Sequence, residues 1–360
     1  MNGSMNGSMT RIPVTILTGF LGAGKTTLLN RLIAEPGFGD TAVIVNEFGE
    51  AGVDGALVAR ADERAFAMSV GCLCCTVSGD VRLGLLRLLD EADRGVGPAF
   101  SRVVIETTGL ADPVPLLQTF MTGDEMLERF TLNGVVTLVD AVQGGNAVAR
   151  FGEAARQVAV ADLVLITKAD LARDPASRRD VQALEAMLAA RAPNARVMAA
   201  GEATVETLFS LAAFDPAGRA PDVREWLAFR HGGHHHHHHD VNRHGDTASA
   251  YCFTASGPVD PWALEQAVAA LQASFGPDLL RLKGLVALAG HPGTPRVLHV
   301  VGHVTSPPRL LDGWPDGVGA TRMVAIVSGA GRDNAPGMLY RFLPELQPFR
   351  DPTPAGATVP

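Results

Sequence analysis

One stretch near the start of the chain has the residue types and spacing that hold phosphate groups. The run Gly19-Phe20-Leu21-Gly22-Ala23-Gly24-Lys25-Thr26 fits the phosphate-loop pattern G-x-x-x-x-G-K-S/T without a mismatch. Glycines let the backbone wrap a polyphosphate so that successive N–H groups point inward. Lys25 would reach the β and γ phosphates, and the Thr26 hydroxyl would ligate Mg²⁺. The residues predicted to bind the nucleotide here are Gly19, Gly22, Ala23, Gly24, Lys25, Thr26 and Thr27.

The sequence on each side of this run supports the same interpretation. Residues 12–17 are apolar and β-branched, as in a short strand, and residues 27–34 carry apolar side chains at helical spacing. A glycine-rich surface turn is the alternative, but chance matches rarely lie between a strand and a helix. The run therefore predicts a site for a nucleoside triphosphate.

A second group of residues has metal-binding chemistry. The run Gly71-Cys72-Leu73-Cys74-Cys75 follows a predicted strand that ends at Val70. Thiolates are soft ligands that suit Zn²⁺, Cu⁺ and, less selectively, Co²⁺. Three thiolates leave a tetrahedral ion one ligand short, which is typical of an exchangeable site and not of a closed structural one. The alternative is that the three cysteines are small buried hydrophobic residues.

A third group follows a predicted strand at residues 103–105. Glu106 ends this strand and is followed by Thr107-Thr108-Gly109. A carboxylate in this position beside a phosphate loop is typical of the acid that organises Mg²⁺. We therefore predict Lys25, Thr26 and Glu106 as the catalytic residues, with Thr26 and Glu106 at the magnesium ion.

The run Thr167-Lys168-Ala169-Asp170 points to the base of the nucleotide. Asp170 can accept hydrogen bonds from N1–H and the exocyclic amine of guanine, which adenine does not offer. The usual motif is Asn-Lys-x-Asp, and this chain has Thr in place of Asn. The motif favours guanine, although an ordinary turn between a strand and a helix would give a similar pattern.

Further residues have less specific patterns. Asn46-Glu47-Phe48-Gly49-Glu50 lies where a nucleotide-sensing loop would follow the second strand, and Glu50 is a candidate metal ligand, although a solvated loop carboxylate would look the same. The histidines at 234–239 are interpreted as a weak metal-collecting segment, with a solubilising linker as the alternative. Asp140 could face the ligand crevice but is interpreted as a helix cap, and Cys252 is interpreted as a core residue and not a ligand.

Composition limits the classes of function. The net charge of −8 provides no basic surface, so nucleic acid is not an expected partner. The chain has no stretch of eighteen apolar residues, so no membrane span is predicted. The beginning of the chain lacks the apolar core of a secretory signal. Four cysteines without an export signal are expected to be reduced thiols. These observations predict a cytoplasmic location.

The pattern along the chain predicts two α/β domains. Over residues 11–211, continuous apolar strands alternate with helices such as those predicted at 81–92 and 178–190. This alternation indicates a mostly parallel sheet covered on both faces. A linker with the histidine tract follows at 212–248, and a smaller domain of order β-α-β-β-β-α is expected at 249–346, where Asp260 and Pro261 begin a helix. Residues 1–10 and 347–360 are expected to be disordered.

Together these motifs resemble the CobW family of metal-handling GTPases. The resemblance lies in the phosphate loop, in residues 46–50, 71–75, 106–109 and 167–170, and in Arg281-Leu282-Lys283-Gly284 of the second domain. It implies a P-loop GTPase that uses GTP and Mg²⁺, binds a transition metal at Cys72, Cys74 and Cys75, and delivers it to a client metalloprotein. Zinc is the preferred metal.

Three other functions share some of these features. One is a cobalt-handling protein of cobalamin biosynthesis, and a second is a GTP-dependent metal sensor that transfers no metal. A small-molecule kinase also shares the phosphate loop, but the Thr-Lys-Ala-Asp run and the cysteine cluster argue against it. The sequence does not predict the oligomeric state or the client.

Overall fold

The computed structural model describes residues 11–46, 65–70, 77–211, 248–255, 257–314 and 319–349. Several residues singled out by their sequence pattern lie outside these ranges: Glu47, Glu50, Cys72, Cys74, Cys75 and the histidines at 234–239. The first ten residues, most of the predicted linker and the last eleven residues also lie outside them.

The described N-terminal part alternates strands and helices. Its strands are β1 (Ile12–Gly19), β2 (Thr41–Asn46), β3 (Ala65–Val70), β4 (Arg102–Glu106), β5 (Phe130–Asp140), β6 (Leu163–Thr167) and β7 (Arg196–Ala199). Its α-helices are α1 (Lys25–Ile33), α2 (Val77–Asp93), α3 (Pro113–Thr119), α4 (Asp124–Arg129), α5 (Gly144–Arg150), α6 (Gly152–Ala159), α7 (Pro175–Arg191) and α8 (Val205–Phe209). Short 3₁₀ turns lie at Ala169–Leu171 and Ala200–Glu202.

These strands form one sheet in the order β3-β2-β4-β1-β5-β6-β7, and every pairing is parallel. The strands are apolar on both faces because helices cover both. Leucines of α1 and α8 pack on one face with Leu138 and Leu165, and α5 to α7 pack on the other with Val139 and Ile166. The prediction of a parallel α/β domain is confirmed.

The register of this sheet brings the motif residues to one edge. Leu17 pairs with Glu106, Asp140 pairs with Thr167, and Asn46 pairs with Val70. Because all strands run the same way, the residues that follow β1, β4 and β6 leave the sheet on the same side. Ligands of open α/β sheets bind outside these carboxyl ends.

The described C-terminal part is an antiparallel sheet with two helices. Its main strands are β8 (Ser249–Ala255), β9 (Leu279–Leu288), β10 (His291–Val301) and β13 (Thr321–Val327). The helices are α9 (Pro261–Phe275) and α10 (Ala335–Phe342), and short strands lie at β11 (Val304–Thr305), β12 (Arg309–Leu310) and β14 (Gln347–Pro348). The predicted order β-α-β-β-β-α is confirmed, with these short strands added. The domain boundaries stay a prediction because residues 212–247 are not described.

The second sheet is covered on both faces. Helices α9 and α10 pack on one face through Leu264, Leu271 and Leu339. The other face lies against the N-terminal part, where Leu116 and Leu117 of α3 share one apolar cluster with residues of the second sheet: Leu280, Val301, Val324 and Ile326. The two parts therefore have a common buried core.

Charged side chains also cross this contact. Arg281 Nη1 lies 2.9 Å from Asp162 Oδ2, and Lys283 Nζ lies 3.0 Å from Asp162 Oδ1. Lys283 is fully buried and Arg281 nearly so. Burial alone would raise the pKa of Asp162, but the two cations hold it well below its usual range. The carboxylate therefore stays ionised inside the contact.

Among the described residues, no helix combines the length and the apolar character that crossing a membrane requires.

Candidate functional site

The phosphate loop connects the end of β1 to the start of α1. Gly19 has φ of +143°, and a Cβ atom there would lie 2.5 Å from the Leu138 carbonyl oxygen, so only glycine fits. Gly24 has φ of +88° and precedes Lys25, the first residue of α1. The loop thus turns directly into a helix N-terminus, where backbone N–H groups and the helix dipole favour an anion.

Lys25 lies inside this loop. Its ammonium nitrogen donates to the carbonyl oxygens of Gly19, at 2.7 Å, and Phe20, at 3.4 Å. Burial lowers the pKa of Lys25, and the nearby Glu106 charge opposes that shift. The contacts hold the cation where the phosphates of a bound nucleotide would need it.

Thr26 and Glu106 meet beside Lys25. The Thr26 hydroxyl donates to Glu106 Oε1 at 2.7 Å, and Glu106 is only 4% exposed at the end of β4. A hydroxyl and a carboxylate are hard oxygen ligands that Mg²⁺ accepts together with phosphate oxygens and water. The residues present therefore fit a magnesium ion, and the assignment of Thr26 and Glu106 to that ion stays a prediction.

The Thr-Lys-Ala-Asp run follows β6 and contacts the phosphate loop. Thr167 Oγ1 donates to the Ala23 carbonyl at 2.9 Å, and Lys168 Nζ donates to the Gly22 carbonyl at 3.0 Å. Asp170 is exposed in the 3₁₀ turn that follows. The threonine that replaces the usual asparagine therefore still has a polar group that anchors the loop.

Asp140, at the end of β5, has two roles. Its Oδ1 accepts from the backbone N–H groups of Val142 and Gln143, and its Oδ2 lies 2.5 Å from Lys168 Nζ. Burial would raise the pKa of Asp140, but these hydrogen bonds, above all the one from Lys168, hold it below its usual value. The sequence pattern favours a cap over a side chain that faces the crevice, and it does not predict the pairing with Lys168.

The loop after β4 packs against the phosphate loop. The Thr107 hydroxyl donates to Thr18 Oγ1 at 2.8 Å. A Cβ atom on Gly109 would come within 2.8 Å of the Leu21 Cα, so the two loops touch there through backbone. Because of this contact, a displacement of either loop would also displace the other loop.

Two residues of α6 hold this loop in place, and neither belongs to a recognisable sequence motif. Gln157 Nε2 donates to the carbonyls of Gly109, at 3.2 Å, and Ala111, at 3.0 Å. Arg156 donates to Asp112 Oδ2 at 3.0 Å and to Asp278 Oδ1, in the C-terminal part, at 2.9 Å. Helix α6 thus connects the loop after β4 to the second sheet.

The structure does not test the predicted thiolate site, since Cys72, Cys74, Cys75 and Glu50 lie outside the described residues. Within the described ranges, no group of three or more His, Cys, Asp or Glu side chains is placed to hold a metal ion. Strand β3 ends at Val70, three strand positions from β1, which corresponds to about 14 Å at the usual strand spacing. Cys252 packs against the shared apolar cluster as predicted for a core residue.

A parallel sheet with a glycine loop at its edge, a buried lysine and a threonine–glutamate pair defines a nucleotide-binding protein of the P-loop class. Residues 13–198 match the family model described as the CobW/HypB/UreG nucleotide-binding domain, and residues 248–342 match the cobalamin synthesis protein cobW C-terminal domain. The chain belongs to the CobW family.

Relatives and a solved structure agree with this assignment. The zinc chaperone YjiA of Escherichia coli is 46% identical over 164 residues, which cover 46% of this chain and 51% of that protein. A zinc chaperone CobW of Sinorhizobium sp is 30% identical over 313 residues, 78% of this chain and 83% of that protein. The crystal structure of zinc-bound YjiA GTPase from E. coli superposes with a TM-score of 0.68 at 28% identity, over 93% of this chain and 99% of that one.

The coverage differs among these relatives. The alignments with YjiA and with the zinc chaperone CobW of Pseudomonas aeruginosa span about half the length of those proteins, at 51% and 50%.

Proposed function

We propose that this chain is a GTPase that binds zinc at Cys72, Cys74 and Cys75 and transfers it to a client metalloprotein. One observation carries the proposal: the end of β3, which leads into the cysteines, lies on the same sheet edge as the phosphate loop. The names of the relatives, zinc chaperones, support zinc over cobalt as the cargo. A cytoplasmic location stays part of the prediction.

Hydrolysis of GTP would use the residues that meet at this edge. Lys25 supplies a positive charge against the β and γ phosphates, and Thr26 with Glu106 would hold Mg²⁺. The bound ion would neutralise charge on the phosphate oxygens. Asp170 lies exposed after β6, where it is available to accept hydrogen bonds from guanine.

The lysine tests the nucleotide part of this proposal. Lys25→Ala should abolish GTP binding or hydrolysis, because it removes the charge inside the loop. Arg31→Ala, on the exposed side of the same helix, is a matched control that keeps the loop. Hydrolysis by Lys25→Ala at the wild-type rate would contradict the assignment of the phosphate loop.

Metal binding must depend on the nucleotide for a chaperone cycle to operate. Strands β2 and β4 lie between β3 and β1, so Asn46, at the end of β2, and Glu106, at the end of β4, lie between the end of β3 and the phosphate loop. A metal held by the cysteines that follow β3 would be coupled to the γ phosphate through these strand ends. We expect a coupling free energy of about 1–3 kcal/mol, which is roughly 5- to 150-fold in affinity.

A titration measures this coupling. Zn²⁺ is titrated into the full chain with a GTP analogue, with GDP or without nucleotide, and the dissociation constants are compared. The Cys72→Ser, Cys74→Ser and Cys75→Ser triple variant should lose the tight site because alcohol oxygens replace thiolates poorly. Cys252→Ser is the matched control, since Cys252 packs in the core. Equal affinities in all three nucleotide states would exclude the cycle.

A transfer assay separates a chaperone from a metal sensor. The zinc-loaded chain is mixed with a zinc-free candidate client and GTP, and zinc in the client is measured over time. Transfer that requires GTP and the three cysteines supports a chaperone. Coupled metal binding without transfer to any client would favour the sensor.

A further inference from the structure

Gln157 of α6 connects strand β5 to the loop after β4. Its backbone carbonyl accepts from Thr137 Oγ1 of β5 at 2.6 Å, and its side-chain Nε2 donates to the carbonyls of Gly109 and Ala111. These two acceptors fix the orientation of the amide group, because an oxygen in place of Nε2 would face two carbonyl oxygens. Gln157 is 0% exposed and Thr137 is 1% exposed. The side chain is therefore a buried contact between a strand and this loop.

Two further hydrogen bonds shape the loop after β4. The Thr107 hydroxyl donates to Thr18 Oγ1 of β1, which fixes the start of the loop on the sheet. The Ala111 N–H donates to the Thr108 carbonyl at 3.2 Å, which closes a turn over residues 108–111. Among the described residues, Gln157 provides the only side-chain hydrogen bonds that this turn receives. The position of the turn therefore depends on Gln157.

The turn carries backbone N–H groups beside the phosphate loop. A Cβ atom on Gly109 would lie 2.7 Å from the Leu21 backbone nitrogen. Within the described part of the chain, no group accepts a hydrogen bond from the N–H of Gly109 or of Leu110. The N–H and C=O of a trans peptide point in opposite directions, so the bond from Gln157 to the Gly109 carbonyl also sets the direction of the Leu110 N–H. These donors are available to an anion.

The turn lies at the end of the site where the terminal phosphate of GTP would lie. Lys25 Nζ, which reaches the β and γ phosphates in this class, donates to the Phe20 carbonyl, one residue before Leu21. On the other side, the turn begins two residues after Glu106, which would hold the Mg²⁺ that bridges β and γ oxygens. Donors between these two points lie near the phosphate that hydrolysis removes.

We propose that Gln157 is a positioning residue, which holds the turn at residues 108–111 in the conformation that receives the γ phosphate of GTP. It acts through the carbonyls of Gly109 and Ala111 and does not touch the nucleotide itself. GDP has no γ phosphate, so loss of Gln157 should affect the GTP-bound chain more than the GDP-bound chain. This role rests on the phosphate-loop assignment of the proposed function and needs neither zinc nor its transfer.

Gln157→Met tests this role because methionine is also a long, unbranched side chain but lacks both donors. We expect kcat for GTP hydrolysis to fall about tenfold, since the turn is no longer held. Affinity for a non-hydrolysable GTP analogue should fall about fivefold, while affinity for GDP changes less than about twofold. Hydrolysis is measured by phosphate release at saturating GTP with Mg²⁺, and affinities are measured by calorimetric titration.

Asn194→Leu is the matched control. Asn194 is 1% exposed, its Nδ2 donates to the Ala161 carbonyl at 3.2 Å, and its amide oxygen, like that of Gln157, has no partner among the described residues. These two residues precede β7 and β6, so they lie at the opposite edge of the sheet from the phosphate loop. The variant should lose stability in urea unfolding but keep kcat and the ratio of the two nucleotide affinities.

A measurement on the unaltered chain applies even if Gln157→Met fails to fold. Hydrogen exchange is followed by NMR in the presence of GDP and of the GTP analogue. The N–H groups of Gly109 and Leu110 should exchange at least about fivefold more slowly with the GTP analogue, because the γ phosphate accepts from them. The side-chain amide of Gln157 should be protected in both states. Equal exchange of the two N–H groups in both states, or an unprotected Gln157 amide, would overturn the proposal.

The variants also separate this proposal from the proposed function. Equal weakening of GDP and GTP-analogue binding by Gln157→Met would show a merely structural role, and an unchanged kcat in the folded variant would show no role. If Lys25→Ala abolishes hydrolysis in the same assay while Gln157→Met leaves it unchanged, only the positioning role is wrong. If Lys25→Ala also hydrolyses GTP at the wild-type rate, the phosphate-loop assignment is wrong and the positioning role with it.

Discussion

At Gly109 the loop after β4 touches the backbone of the phosphate loop at Leu21. Gly109→Ala would place a methyl group within 2.8 Å of that backbone and push the two loops apart. Because small displacements of groups around a reacting phosphate are costly, we expect GTP hydrolysis to fall about 10- to 100-fold. The rate is measured by phosphate release at saturating GTP.

Gly145→Ala is the matched control for this change. Gly145 lies within α5, and a Cβ atom there would meet only Leu184 Cδ1, at 3.7 Å. Alanine within a helix should stabilise the protein by about 0.5–1 kcal/mol and leave hydrolysis unchanged. Equal hydrolysis by the two variants would show that contact between the loops is not needed.

The hydroxyl of Thr167 provides a second test at the residue scale. Thr167→Val keeps the shape of the side chain but removes the hydrogen bond to the Ala23 carbonyl. A lost hydrogen bond of about 1 kcal/mol predicts nucleotide dissociation about fivefold faster. Thr167→Ser keeps the donor and should stay near the wild-type rate, which is followed with a fluorescent GDP analogue. Unchanged dissociation for Thr167→Val would contradict a role in holding the loop.

Residues that belong to a local motif could be predicted, and residues recruited by tertiary contacts could not. Lys25, Thr26 and Glu106 follow from short runs whose spacing reflects the geometry of phosphate binding. Gln157 and Arg156 lie on a helix without any motif, and they matter because α6 packs against the loop after β4. In the sequence, Gln157 is 48 positions from Gly109 and 46 positions from Ala111, so only the fold brings these residues into contact.

Among the elements, α6 connects the nucleotide site to the second sheet. Arg156 bridges Asp112, which caps α3, and Asp278, which also accepts from the Ser328 hydroxyl. Arg156→Gln should lower the free energy of unfolding by about 1–2 kcal/mol because it weakens two charge-assisted hydrogen bonds. The loss stays modest because the three side chains are partly exposed to water. Hydrogen exchange should rise at residues 110–113 and 276–278.

Arg87→Gln is a control of the same type. Arg87 pairs with Glu91 one helical turn away, and its side chain is 70% exposed. Exposed pairs of this kind contribute about 0.3–0.5 kcal/mol. In urea unfolding, Arg87→Gln should therefore lose less free energy of unfolding than Arg156→Gln. Equal losses in the two variants would mean that Arg156 does not connect the elements.

Long elements were better predicted than short ones. The pattern predicts helices at 81–92 and 178–190, and the structure has them as α2 (Val77–Asp93) and α7 (Pro175–Arg191). Helices α3 to α6 have six to eight residues each and were not predicted. Helices of two turns have little periodic signal and depend on packing for their stability.

For the whole molecule, the charged contact between the two parts predicts a pH dependence. Arg281 Nε donates to His299 Nε2 at 3.3 Å, so this imidazole nitrogen carries no proton. Burial, with the adjacent Arg281, lowers the pKa of His299 to about 3, while Asp162 opposes the shift and Lys283 adds to it. In the unfolded chain, the pKa of this histidine would be near 6.5.

The sign of the effect follows from proton binding. Between pH 3 and 6.5 the unfolded chain binds a proton at this histidine that the folded chain does not, so stability falls as the pH falls through that window. From pH 7.5 to 5.5 the wild type should lose about 1 kcal/mol more than His299→Gln in urea unfolding. His291→Gln, on the exposed end of β10, should keep the wild-type slope. A slope unchanged in His299→Gln would contradict a neutral imidazole at this contact.

The shared apolar cluster has a consequence for folding. The two family models divide this chain into separate regions, yet Leu116 and Leu117 of the first pack with Val324 and Ile326 of the second. A truncated gene that ends before β8 would produce a protein with this leucine surface in water, prone to self-association. Calorimetry of the intact chain should show one cooperative transition. Unfolding of either part would expose the apolar side chains with which the other part packs. The two parts match separate family models, but their shared core should make them unfold as one cooperative unit.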